Sequence, residues 1–106
     1  MSIYEKCYGP EHMSVGVTLG TLGNAYGYLG DARKKRELLE RSLPILEKNG
    51  GPDQFSVAVA LIHLGAASGD LGDLAAKSEF IQRAIRIARA NGRDDAVQQW
   101  TGMLQK

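Results

Sequence analysis

Residues 22–31 read "LGNAYGYLGD", and residues 64–73, 42 positions later, read "LGAASGDLGD". Leucine, glycine, alanine, glycine, leucine, glycine and aspartate recur in the same places. The agreement extends outward: residues 8–49 set on residues 50–91 without a gap share 18 of 42 positions. A period of this length marks stacked supersecondary units, each unable to bury its apolar face alone. The chain is two copies of one unit.

Within the unit, Val15, Leu19, Leu22, Tyr26 and Leu29 are spaced by four, three, four and three, one stripe of a helix. Val57, Leu61, Leu64 and Leu71 repeat the stripe. Gly30-Asp31 and Gly72-Asp73 then supply a break, since glycine accepts a left-handed helix end and aspartate caps the helix that follows. Second helices are expected over residues 32–48, with Leu38, Leu39, Leu43, Ile45 and Leu46, and over residues 74–90, with Phe80, Ile81, Ala84, Ile85 and Ala88. No stretch reads as a strand, so the expected fold is all-α, built of antiparallel helix pairs. Pro44, late in the second helix, removes a backbone donor and predicts a kink or an end there.

The flanks set the expected organisation. "IYEK" at residues 3–6 matches "ILEK" at residues 45–48 in the same phase. Residues 1–7 therefore read as the tail helix of a preceding repeat, 8–49 and 50–91 as the two repeats, and 92–106 as a C-terminal capping helix. That last segment keeps apolar spacing at Val97, Trp100 and Leu104.

With 106 residues and a net charge of +1, the chain has no overall field that would attract nucleic acid or an anionic membrane. Neither a membrane span nor a signal peptide is visible, and the single cysteine, Cys7, excludes an intramolecular disulfide framework. A cytoplasmic setting is expected.

Leu19-x-x-Leu22-Gly23-x-x-Tyr26 followed by Gly30-Asp31 resembles the tetratricopeptide repeat, with Leu19 where that family often has tryptophan. The second copy, Leu61-x-x-Leu64-Gly65-x-x-Ser68, keeps the leucines and the glycine. The 42-residue period and the Gly9-Pro10-Glu11-His12 linker, matched by Gly51-Pro52-Asp53-Gln54, are similar to the long-helix variant found in kinesin light chains. The resemblance implies an α-solenoid, a right-handed superhelix of about two and a half repeats. It also implies that the first helix of each pair lines a concave surface. Lys35 and Lys77 depart from the pattern by standing where a small residue usually packs between the helices; their stems are expected to lie along the interface with the ammonium in water.

Gly16, Gly20, Gly23, Gly27 and Gly30 fall within an arc about 80° wide on a helix. Close packing is the expected role of Gly23 and its copy Gly65, whereas Gly20 and Gly27 fit either packing or an open groove.

No catalytic constellation is found. His12 and His63 lack partners at metal-ligand spacing, Cys7 has no activating neighbour, and the glycine-rich stretches lack the lysine and strand of a phosphate loop. Neither enzymatic activity nor a cofactor or metal is expected. The run "RKKRELLER", residues 33–41, is diluted to "AAKSEFIQR" in the second copy. It therefore reads as a solvated face with pairs four apart, Arg33–Glu37, Arg36–Glu40 and Glu37–Arg41, and not as a nucleic-acid stripe.

What remains is protein interaction. By the resemblance, the candidate peptide groove comprises Gly20, Thr21, Asn24 and Tyr28 in the first unit and Ile62, His63, Ala66 and Asp70 in the second, flanked by Val17, Gly27, Val59 and Gly69. Asn24 matches a position where peptide-holding relatives place asparagine; Gly20 replaces a lysine that clamps carboxylates in chaperone-binding relatives. The competing expectation is a self-assembling structural module or part of a longer array, associating through Ile3, Tyr4, Trp100, Met103 and Leu104.

Overall fold

The computed structural model describes residues 13–51 and 54–104. Cys7, His12 and the Gly-Pro-Glu-His linker lie outside them, as do Ile3 and Tyr4. Among the described residues there are five α-helices and no strand: α1 (Met13–Tyr28), α2 (Ala32–Gly50), α3 (Phe55–Asp70), α4 (Leu74–Ala90) and α5 (Asp94–Leu104). No helix among these residues is long and apolar enough to cross a membrane.

The Gly-Asp breaks fold alike. Gly30 and Gly72 take φ of 86° and 84°, a region that costs an L-residue roughly 1–2 kcal/mol. At each turn the aspartate N–H donates back across the helix end, Asp31 to the Tyr26 carbonyl at 2.9 Å and Asp73 to the Ser68 carbonyl at 2.8 Å. The side chains then cap the next helix: Asp31 accepts from the Lys34 N–H at 3.0 Å and Asp73 from the Ala76 N–H at 3.1 Å. Gly92, with φ of 70°, repeats the turn before α5 without an aspartate.

Each hairpin is antiparallel. Gly16 near the start of α1 faces Ile45 and Leu46 near the end of α2, while Gly23 faces the Lys35 carbonyl. In the second pair Gly65 faces Ile81 and the Lys77 carbonyl in the same way. A methyl group at Gly23 would lie 3.2 Å from that carbonyl and at Gly65 3.3 Å from its counterpart, so both glycines allow the backbones to approach. Gly27 has a different partner. The Lys35 stem lies across it, and Lys77 lies across Gly69, so the lysines that depart from the repeat pattern occupy space that glycine vacates.

The core is uneven. Val15, Leu19 and Leu38 form a small cluster between α1 and α2, supported by Leu22, Tyr26 and Ile45. A larger one runs from Leu46 through Val57, Leu61, Ile81, Ile85 and Ala88 to Ala96 and Trp100. α3 buries nine residues and α1 four. Burial of apolar area is the main favourable term in folding, so α1 is the least anchored of the first four helices.

Three expectations are revised. α2 runs through Pro44 to Gly50; Pro44 is exposed, so its missing N–H and its ring lie on the solvent side of the helix. Leu29 and Leu71, placed on the apolar stripes, lie in the turns and are 81% and 40% exposed, because the helices end before them. Trp100, expected among exposed apolar ends, is 7% exposed. Its ring stacks on Phe55 at 5.7 Å, and the Arg93 guanidinium covers the same phenyl ring at 4.1 Å. Met103 and Leu104 are half-buried against the core. In the charge run, Arg36 pairs with Glu40 at 3.7 Å as expected, while Glu37 is met by Lys34 at 3.8 Å.

Candidate functional site

α1 and α3 barely touch, and the space between them is a groove of about 360 Å³. Gly16, Val17, Gly20, Thr21 and Asn24 form one wall. Phe55, Ser56, Val59, Ala60 and His63 form the other, and Leu39, Ser42 and Leu46 of α2 make the floor. The groove continues into a hollow of about 330 Å³ bounded by Asn24, Gly27, Tyr28, Lys35 and His63.

The groove is open because its first wall is built with little side-chain volume. A methyl group at Gly20 would meet nothing nearer than Ser42 Oγ at 3.5 Å, ordinary contact distance, so packing does not require glycine there. Gly16 differs, since a methyl group would come within 2.9 Å of the branched Ile45 side chain. In the second unit the corresponding positions hold Ala58 and Ile62, both of them buried.

The polar groups of the groove are largely committed as donors. Ser42 donates its hydroxyl to the Gly16 carbonyl at 2.6 Å, and Thr21 donates to the Val17 carbonyl at 3.0 Å. Asn24 Oδ1 is buried and has no hydrogen-bond partner among the described residues. A buried acceptor without a donor costs about 1–3 kcal/mol; Oδ1 is closed to solvent, so a ligand N–H reaches it only when the side chain turns toward the groove. His63 is held below its ordinary titration range by burial first and by the Lys35 charge second. It is therefore neutral at pH 7 and offers one donor and one acceptor nitrogen.

Of the residues singled out from the repeat pattern, Gly20, Thr21, Asn24 and His63 come together on the groove, with Val17 and Val59, and Tyr28 borders the adjoining hollow. Ile62 instead points into the core at 9% exposure, and Ala66 and Asp70 line neither space. Phe55, Ser56, Ala60 and the α2 floor were not anticipated. Among the described residues, no three His, Cys, Asp or Glu side chains stand together as a metal site. The groove presents mainly apolar side chains, with His63 and Asn24 as its polar groups. A scan against family models finds no match for this chain, and a search of curated proteins finds none either.

Proposed function

We propose that this chain is a tetratricopeptide-like α-solenoid segment that serves as a protein-interaction scaffold, holding an extended peptide in the groove between α1 and α3. It works without catalysis and without a cofactor. The observation that carries the reading is the open and mainly apolar groove with Asn24 on its wall, whose unpartnered Oδ1 gains a donor when the side chain turns toward a bound peptide. An extended peptide supplies backbone N–H donors at regular intervals and side chains for the apolar wall, which suits that combination. The repeat period and the helix-turn geometry support the solenoid reading.

The test is selection from a random peptide library displayed on phage, followed by blocking of the groove. Val59 is 37% exposed on the groove wall, so Val59→Arg fills the space without disturbing the core. Peptides recovered on the native chain should lose binding to this variant. Recovery of no peptide, or equal binding to both, would refute the proposal.

A further inference from the structure

We infer that the hollow adjoining the groove takes a carboxylate of the bound peptide, an aspartate or glutamate side chain that pairs with the Lys35 ammonium. The inference rests on the reading of the groove as a peptide site and adds the class of peptide it selects.

Lys35 belongs to the charge run but not to its ion pairs. Lys34 meets Glu37 at 3.8 Å, and Arg36 meets Glu40 at 3.7 Å and the α4 cap Asp73 at 3.6 Å. Between them in sequence, Lys35 makes no ion pair with a described residue. Its stem runs toward α1 instead. Gly27 leaves room for that stem, and a methyl group there would lie 3.3 Å from Lys35 Nζ. The ammonium is thereby brought to the wall of the hollow of about 330 Å³, between two described helices and beside a third.

No carboxylate lines this hollow. Asp31 accepts from the Lys34 N–H at the start of α2, and Asp70 borders neither the hollow nor the groove. A half-buried cation without a counter-ion attracts an anion more strongly than a solvated one does. Burial first and the Lys35 charge second hold His63 neutral, so the field of the ammonium reaches the opposite wall. The remaining polar side chains, Asn24, Tyr28 and His63, can each donate a hydrogen bond, and a carboxylate accepts several. An amide in the same place would keep those bonds and forfeit the attraction to the cation.

Asn24 and His63 border groove and hollow alike. A peptide lying on the apolar wall can therefore place a side chain in the hollow without leaving the groove. Tyr28, at 93% exposure, does not close the hollow, so the peptide need not end there, and the carboxylate belongs to a side chain. Lys77, the counterpart of Lys35, lies over Gly69 but borders a separate hollow with Leu74, Ser78 and Leu104. It serves as the control.

The probes are peptides selected on the native chain from a random library displayed on phage. Each is made in its acidic form and with Asn or Gln in place of the acids, both amidated at the C-terminus. By calorimetry, the acidic form should bind the native chain and Lys77→Met at least about tenfold more tightly than the amide form. The ratio should fall to near one in Lys35→Met. Methionine keeps an unbranched stem over Gly27, and no ion pair is lost, so this variant keeps its fold. Val59→Trp, which fills the groove without adding charge, separates the two readings. If no selected peptide is blocked by it, the groove reading fails and this inference falls with it. Peptides that are blocked by it, yet bind equally in acidic and amide forms, overturn the inference and leave the groove reading standing. Equal binding is also the result expected if an acid of the chain's own flanking sequence already sat on Lys35. An acid preference that persists in Lys35→Met, or one that requires a free C-terminal carboxylate, likewise overturns it.

Discussion

The Lys35 stem lies over Gly27, close enough that a methyl group there would come within 2.7 Å of Cδ, and Lys77 repeats the arrangement over Gly69 at 2.8 Å. Each pair joins a vacancy on one helix to a flexible chain on the next. Alanine is worth about 1 kcal/mol over glycine inside a helix, so Gly27→Ala gains propensity and must displace the lysine. The gain should be larger by roughly 0.5–1 kcal/mol when Lys35→Ala has already removed the stem. A double-mutant cycle from urea denaturation measures that coupling. Additive effects would mean that the lysine does not rest on the glycine in solution.

Two fully buried serines should respond in opposite directions. Ser42 Oγ is bonded to the Gly16 carbonyl at 2.6 Å, whereas Ser68 Oγ has no partner among the described residues. Ser42→Ala should cost about 1 kcal/mol, and Ser68→Ala should be neutral or stabilise by about the same amount. Thermal midpoints of the two variants decide it. The second unit already carries alanine at residue 84, the counterpart of Ser42.

His63 gives the fold a pH dependence of defined sign. Its folded pKa is depressed, chiefly by burial and secondarily by Lys35. Above the unfolded value near 6.5 both states are neutral. Below it the unfolded chain takes up the proton first, so stability falls as pH drops and levels off once the folded state also titrates. Urea midpoints at pH 7.5 and pH 5 should differ less in His63→Asn than in the native chain.

Trp100 holds α5 to the rest of the chain through Phe55, which also lines the groove. Trp100→Ala should cost about 3–5 kcal/mol and release α5. Hydrogen exchange should then rise across residues 94–104. In the native chain, α1 should exchange fastest among the first four helices, because two of its four buried residues are glycines and it buries the least apolar side chain.

The repeat made the helices and their caps legible, since Gly-Asp endings and apolar spacing are local properties. The groove was legible only in part. Asn24 and His63 were found by carrying the groove positions that the tetratricopeptide resemblance implies onto both units alike, a procedure that assumes equal environments. They are unequal: α3 packs against helices on both sides, which turns Ile62 inward, whereas its counterpart Gly20 faces open space. Phe55 and the α2 floor depend on how the hairpins stack, and no local pattern encodes that. The exposure of Pro44 likewise decides why α2 continues, and exposure follows from packing.

The most direct test of the account is calorimetric titration of a selected peptide into the native chain and into Asn24→Leu, with thermal stability measured on both. If Asn24 is held without a partner for the sake of a ligand, leucine should raise the thermal midpoint and weaken peptide binding by about tenfold or more. Unchanged affinity in Asn24→Leu would contradict the account.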